Sequence, residues 1–366
     1  MSTAENAYGF IGLGLIGGSI ARAIRQNDPE AYILAYNPSR NSLDEALADG
    51  VLSEAADGID DTFKKCHYIF LCAPVGSNTD NLPAVKAHMS DDAIITDIGS
   101  VKTGIHNAVV GLGLSSHFIG GHPMTGSERT KYRNSKASLL ENAYYILAPE
   151  KEVPKKEVEA FRKLVESFHS IPLILDNDLH DYVTGAVSHV PHVVSATLVN
   201  LVRESDTDDG VMKMIAAGGF KDITRISSSS PTMWQHICLT NKDNIVKLLD
   251  RYIADLQANR DKIASADKDA IYELFDSARK YRDSFSDVHS GPIMQEFVLH
   301  IDIADHPGAI AEVADLLAKE DINIKNIGIT HNREFAYGAM RLELNTAKRR
   351  DETREVLKAH GFHVVD

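Results

Sequence analysis

The chain has 366 residues, long for one ordinary domain, so two or three domains are expected. Apolar residues make up 43%, enough for globular cores, and a formal net charge of -14 argues against a broad nucleic-acid surface while leaving room for a local basic pocket that takes an anionic substrate. An apolar run of about 18 residues is missing, the polar start shows no export signal, and Cys66, Cys72 and Cys238 form no CxxC pair; the expectation is a cytoplasmic protein with reduced thiols and no membrane partner.

Short apolar runs then alternate with helical patterns. Strands are expected at 8–11, 32–36, 68–72, 94–97, 118–119 and 144–147, with a helix at about 17–27. This alternation predicts a parallel sheet covered on both faces, a Rossmann-type α/β domain. Val158, Phe161, Leu164, Val165 and Phe168 keep helical spacing and close that region. Farther on, Val183, Val187, Val190, Val194, Leu198 and Leu201 approximate one helical stripe, interrupted by Pro191. Ile245, Leu248, Leu249, Tyr252, Ile253 and Leu256 make another, and Ile271, Leu274, Phe275 and Ala278 begin a third. Such helices bury their faces against other helices, so an all-α domain is expected, with part of its apolar surface serving a homodimer. The polar segment 284–292, with Gly291-Pro292, reads as a linker. Beyond it the apolar period returns to two at Phe297, Leu299, Ile301 and Ile303. A helix (Ile310, Val313, Leu316, Leu317), strands at 322–329 and 336–344, a helix from about 347 and a strand at 362–365 complete βαββαβ. The expected division is 1–169, 170–287 and 288–366, the last a small α+β domain.

Gly12-Leu13-Gly14-Leu15-Ile16-Gly17 is GxGxxG, directly after a strand and opening a helix. Gly12 permits the tight turn, Gly14 lets backbone approach a pyrophosphate, and Gly17 lets helix and strand pack closely. The carboxylate expected about 20 residues on, at the end of the second strand, is replaced by Asn37. An Asn can bond a ribose hydroxyl but repels no 2′-phosphate, and Arg40 nearby is either a phosphate partner or a solvated loop charge. NAD and NADP both stay open on this ground. Ala73 and Pro74, and the stretch from Asp97 through Ser100 to Lys102, follow later strands at the carboxyl ends where open α/β sheets bind ligands. Taken alone, Ser100 reads as an ordinary helix cap with Lys102 in the first turn of that helix.

His122 is bracketed by Gly121 and Pro123 after a strand, so it sits in a rigid loop, where an imidazole titrating near neutrality can take a hydroxyl proton while hydride leaves the same carbon. A purely structural loop histidine is the plainer alternative. His189 and His192, three apart on a helix, share a face, as do Ser188 and His192 at four. Without a third ligand or an HExxH motif no metal is expected; His189 reads as a satisfied core histidine and His192 as a cleft residue. Lys221 and Arg225, four apart beside Gly218-Gly219, suit a substrate with two carboxylates, although a solvated charged face is the usual reading of that spacing.

Taken in order, GLGLIGGS, DIGSVK, GGHPMTGSE, SHVPH and GGFKDITRI followed by Trp234 resemble the prephenate/arogenate dehydrogenase family over roughly residues 8–285. The resemblance implies a dinucleotide domain and a helical dimerisation domain, with His122 as catalytic base assisted by Ser100. It also implies that Ser127 and Glu128 line the pocket and that His192, Lys221 and Arg225 contact prephenate, arogenate or the inhibitor tyrosine. Asn37, where many members carry Asp, departs from the pattern; the resemblance still favours NAD. The C-terminal part resembles an ACT regulatory domain at Ala304-Asp305-His306-Pro307-Gly308-Ala309-Ile310 and at Asp321-Ile322-Asn323-Ile324, which implies an amino-acid effector, with tyrosine the natural one. Two rivals differ in what they need: a β-hydroxyacid dehydrogenase relies on a helical lysine, and a non-catalytic nucleotide-sensing regulator needs no base in the cleft.

Overall fold

The structure is a computed structural model that describes residues 6–126, 129–287, 297–303, 306–330, 338–344 and 346–365, and they fall into two compact units divided near residue 284. The first opens with β1 (Ala7–Ile11), α1 (Leu15–Asn27), β2 (Tyr32–Tyr36), α2 (Asn41–Ala48), β3 (Glu54–Ala56), β4 (Tyr68–Leu71) and α3 (Val75–His88). It continues with β5 (Ile94–Asp97), α4 (Thr103–Gly111), β6 (Phe118–Pro123), β7 (Tyr144–Pro149), α5 (Lys155–Ser167) and β8 (Ile171–Ile174). Its eight strands lie in the order β3-β2-β1-β4-β5-β6-β7-β8. The chain builds outward from β1 to one edge, then crosses back to lay β4 on β1's other side. That reversal opens a crevice at the carboxyl ends of β1 and β4, where dinucleotides bind. Side chains alternate between faces, so Phe10, Phe70 and Ile119 join Ile20 and Phe161 in one core, while Ile11, Ile69, Leu71 and Ile95 join Val109 in the other.

The sheet departs from expectation in two places. β7 runs antiparallel to β6, with Gly120 opposite Ala148 and His122 opposite Ile146. Between them the described residues hold only two 3-10 turns, Tyr132–Asn134 and Ala137–Leu139, and an antiparallel return needs no crossover helix. β3 and β8 are edge strands of three and four residues, too short to show a period, and β8 carries the sheet on to Ile174.

The helical region is packed into the same unit. It comprises α6 (Asn177–Thr184), a π turn (Gly185–His189), α7 (Val190–Ser205), α8 (Val211–Ile215), α9 (Gly218–Thr224), a 3-10 turn (Arg225–Ser228), α10 (Pro231–Thr240), α11 (Lys242–Ala264) and α12 (Lys268–Asp283). The expected apolar stripe is covered only in part: Val190 is buried, while Val183, Val194 and Leu198 are half-buried. In the stretch Asn177–Ser205 the buried positions include His180, Asp181, Thr184, His189 and Ser195, whereas Val187 and Leu201 are 64% and 58% exposed. Tyr272 and Phe275 on α12 are exposed to a similar degree. Apolar surface on this scale marks an interaction face. Asn177–Ser205 is also long and apolar enough to cross a membrane by composition alone. Its buried polar residues, bonded to the start of α4 and of α11, give it a place inside this unit instead.

The second unit has β9 (Phe297–Ile303), α13 (Ala309–Lys319), β10 (Asn326–Thr330), β11 (Gly338–Leu344), α14 (Ala347–Ala359) and β12 (Val364–Val365). This is the expected βαββαβ order, folded as an antiparallel sheet β10-β11-β9-β12 around Leu299, Ile301, Val313, Leu317, Met340, Leu342 and Leu357. Gly308, at φ +98°, caps α13 in a left-handed conformation; Ala309 is buried, while Pro307, Ile310 and Asn323 are exposed. Asp305 lies outside the described residues. The second strand starts at Asn326 rather than at Ile322, because Ile322 N–H donates back to Leu317 C=O (2.9 Å) and closes α13 instead.

Candidate active site

Gly12 has φ +92°, and a Cβ there would lie 2.7 Å from Ala73 N, so the first glycine both makes the turn and admits the neighbouring loop. Its N–H donates to Tyr36 C=O at 2.8 Å, which ties the turn to the end of β2. A Cβ at Gly17 would meet Cys72 Cβ at 2.9 Å, so this position brings α1 down onto the sheet. Gly14, the N-cap of α1, faces open space instead. The helix that starts at Leu15 and Ile16 thus presents an uncovered N-terminus, which fits a pyrophosphate group. Ala73 and Pro74 are held by a residue that sequence reasoning did not single out. Buried Asn78 accepts from Ala73 N–H (3.0 Å) and donates to Leu71 C=O (3.2 Å).

Asn37 turns its amide toward the glycine loop: Oδ1 accepts from Leu13 N–H at 3.4 Å, and Nδ2 donates to Ser39 C=O at 3.0 Å. Arg40 is paired with Asp44 (3.2 Å) and Asp57 (2.7 Å). A 2′-phosphate would have to compete with two carboxylates for that guanidinium.

At the end of β5, Ser100 lies in a bend and gives α4 no side-chain cap; the cap position is Lys102. Lys102 is fully buried, ion-paired to buried Asp97, and donates to Gly121 C=O at 2.8 Å. Burial pulls its ammonium below the usual lysine range, with the Asp97 carboxylate opposing.

His122 stands not in a loop but within β6, which runs on to Pro123 because β7 pairs with it there, and its imidazole continues a chain of hydrogen bonds from α6. Asp181, fully buried, accepts from Lys102 N–H (2.7 Å), Thr103 N–H (2.8 Å), Thr103 Oγ1 (2.6 Å) and His180 Nδ1 (2.8 Å). Burial raises its carboxyl, yet these donors outweigh burial and hold it below the ordinary aspartate value. A carboxylate can only accept, so His180 carries its proton on Nδ1. His180 Nε2 then faces His122 Nδ1 at 2.8 Å, an arrangement in which the His180 lone pair accepts from His122 Nδ1–H. His122 is left with Nε2 as its proton acceptor. Burial, reinforced by His180, Lys102 and His189, holds its pKa well below the usual histidine value, so this nitrogen is unprotonated at neutral pH. The paired signal His180-Asp181 is visible in the sequence, but its adjacency to His122 is a tertiary fact.

The helical region adds a second cluster. His189 is buried and satisfied, with Asn241 Nδ2 donating to its Nδ1 at 3.0 Å, and burial lowers its pKa to about 4. His192 donates from Nδ1 to Ser188 C=O (2.8 Å) and stacks on Trp234 with ring centroids 3.7 Å apart, while His189 meets the same indole edge-on. Trp234 Nε1 is buried and has no hydrogen-bond partner among the described residues. Burial lowers the His192 pKa, the hydrogen bond to Ser188 opposes it, and the charge of Arg225 adds to the lowering. Lys221 is exposed on α9, and Arg225 begins the following 3-10 turn. Ser127 and Glu128 lie outside the described residues.

A switched α/β sheet with an uncovered helix N-terminus, coupled to a helical region through buried His180 and half-buried His122, defines a two-part dinucleotide-dependent dehydrogenase. The prephenate dehydrogenase nucleotide-binding domain model matches residues 20–170, and the prephenate dehydrogenase dimerization domain model matches 176–277. Prephenate dehydrogenase of Bacillus subtilis (strain 168) is 36% identical over 364 residues, 99% of this chain and 98% of that one. A crystal structure of prephenate dehydrogenase from A. aeolicus, in complex with hydroxyphenyl propionate and NAD+, has 29% identity and a TM-score of 0.73 and covers 78% of this chain and 100% of its own. Synechocystis arogenate dehydrogenase has 26% identity and a TM-score of 0.69 and covers 76% of this chain and 99% of its own. The chain belongs to the prephenate dehydrogenase family.

Replacing His122 by Asn keeps hydrogen-bonding capacity and removes the base. Turnover is expected to fall by about 10²–10⁴-fold with cofactor affinity little changed. Near-parental turnover of this variant in steady-state assays would remove His122 from the chemistry. Asn37→Asp adds a carboxylate beside the glycine loop, and the ratio of kcat/KM for NAD to that for NADP is expected to rise. An unchanged ratio would mean that position 37 does not face the ribose.

Proposed function

We propose that this protein catalyses the NAD-dependent oxidative decarboxylation of prephenate to 4-hydroxyphenylpyruvate on the route to tyrosine. The observation that carries the reading is the His122–His180–Asp181 chain at the carboxyl end of the sheet, which leaves His122 Nε2 as a neutral acceptor. NAD, when bound, supplies the hydride acceptor. The glycine loop and the N-terminus of α1 would hold its pyrophosphate, and Asn37 and the paired state of Arg40 would favour it over NADP.

His122 accepts the proton of the ring hydroxyl as hydride leaves the same carbon. Carbon dioxide then departs from the ring carboxylate, its bonding electrons complete the aromatic ring and charge the oxygen, and that oxygen regains a proton from His122 as a phenol. Aromatisation drives the step, so the protein's task is to place ring and base. Ser100 assists at the hydroxyl. Arg225, with Lys221, anchors carboxylate, and His192, held against Trp234, walls the pocket together with Ser127 and Glu128. Arogenate is the second substrate to consider, because the Synechocystis neighbour bears that name.

The exposed apolar residues of α7 and α12 serve a homodimer formed through the helical region, in keeping with the dimerization-domain match. The compartment we infer is the cytoplasm. The second unit is a regulatory ACT-like domain that binds tyrosine near Asp305, Pro307, Gly308, Ala309, Ile310 and Asn323.

Steady-state rates with prephenate and arogenate, each with NAD and NADP, test the reading; activity with none of the four pairs would refute it. In the same assay Arg225→Ala is expected mainly to raise the KM for the dicarboxylate, and Arg225→Lys to rescue it only in part, because an ammonium lacks the planar fork. Parental KM values in both variants would return Arg225 to the solvated surface. A chain ending at Asp287 is expected to fold and to turn over substrate but to lose the cooperative part of its inhibition by tyrosine, since coupling needs both sites. An inhibition curve of unchanged steepness would make the second unit purely structural.

A further inference from the structure

The buried pair of Asp97 and Lys102 has no part in the chemistry above. β5 and β6 are paired only at Ile95–Phe118 and Thr96–Ile119. Past that point Gly120 and His122 pair with β7, and the N–H and C=O of Gly121 are left toward the departing β5. Side chains take over from the ladder there. Asp97 Oδ1 accepts from Gly121 N–H at 3.1 Å, Lys102 Nζ donates to Gly121 C=O at 2.8 Å, and the ion pair joins the two grips. The residue gripped directly precedes His122. It must be glycine, because a Cβ would lie 2.4 Å from Asp97 C=O. Lys102 also gives its backbone N–H to Asp181, which orients His180. One residue therefore ties down both the strand that carries His122 and the helix that carries its partner.

Stability alone is a poor reason to bury a lysine. Desolvating both ions costs several kcal/mol each, and well-packed apolar replacements of such pairs are often neutral or stabilising. We propose that Lys102, through its ion pair with Asp97, is a positioning residue that fixes the place of His122 and keeps its imidazole neutral. This inference rests on the reading of His122 as the base. The groups facing His122 are His180, with Asp181 behind it, from α6; His189 from the π turn; and Lys102 with Asp97 from the end of β5. Lys102 is the lysine among them, ion-paired to Asp97, and its charge adds to burial in disfavouring the imidazolium.

The test is the pH profile of kcat/KM in the full-length chain, with the preferred substrate and NAD. Lys102→Met removes the cation and leaves Asp97 without its countercharge. The acid limb is then expected to move up by about one pH unit, and turnover to fall by about tenfold or more, with the NAD dissociation constant unchanged. Lys102→Arg keeps the charge and should leave the limb in place even if turnover drops. An unmoved limb in Lys102→Met, or an equal movement in Lys102→Arg, overturns the proposal. The double change Asp97→Asn with Lys102→Met leaves no lone buried charge and serves if the single variant does not fold. It too should lose turnover by about tenfold, because Gly121 C=O has lost its donor; parental turnover there also overturns the proposal. His122→Asn separates the two layers. If the acid limb persists in that variant, the base assignment itself is wrong. If the limb vanishes there but stays fixed in Lys102→Met, only the role of Lys102 falls.

Discussion

A carboxylate taken out of water has to be met by donors, and the way Asp181 meets that demand organises the catalytic region. Its oxygens are reached by two backbone N–H groups at the start of α4, by the Thr103 hydroxyl and by His180 on its own helix. The residues that satisfy it therefore belong to elements far apart in the chain. Removing one partner from such an arrangement typically costs about 3–5 kcal/mol, because the remaining group stays buried without compensation. The docking of the helical region against the sheet and the tautomer of His122 thus follow from the same carboxylate, so fold and chemistry are coupled at one residue.

The nucleotide side of the crevice solves a different problem with backbone. Gly12 and Gly17 let chain segments come close where a side chain would collide, and Gly14, with open space around it, leaves the helix end uncovered. The crevice accordingly has two chemical characters. Toward α1 it is a neutral surface of N–H groups shaped by missing side chains. Toward β6 it is a buried region where Asp97 faces Lys102 and Asp181 faces its four donors.

Much of the fold was legible because its parts are local. The strand, glycine turn and helix around residues 8–27 announce themselves by spacing, as does βαββαβ after residue 297. The glycine motif places the cofactor end of the crevice for the same reason. What stayed hidden depends on contact between distant residues. The antiparallel turn of β7 has no period of its own, and β3 and β8 are too short to show one. The stripe from Val183 to Leu201 predicts a helix correctly but not how it is covered, since His180, Asp181 and His189 are buried alongside Val190 while Val187 and Leu201 are exposed. His122 stood out because Gly and Pro bracket it; His180 did not, since a histidine on a helix is unremarked until its partner is known. Lys102 looked like an ordinary first-turn cation, and only the parting of β5 from β6 gives it an acceptor to serve.

The π turn at Gly185–His189 sets the rotational phase of everything after it. An α-helix advances about 100° per residue, so the widened turn, which absorbs one residue more than an α turn, shifts the downstream faces by that angle relative to a regular helix. Gly185 gives it room, since a Cβ there would already touch Leu248 at 3.1 Å. Upstream, Asp181 and His180 look toward the sheet; downstream, His192 meets Trp234 and Leu201 is left to solvent. Losing a single residue within 185–189 would restore an unbroken α-helix and swing the whole of α7 out of phase with α6. The two ends of the stretch could then no longer serve the base and the outer apolar face together. The turn acts as an indexing step, and length variation in this short segment should be far less tolerated than substitution along the helix on either side of it.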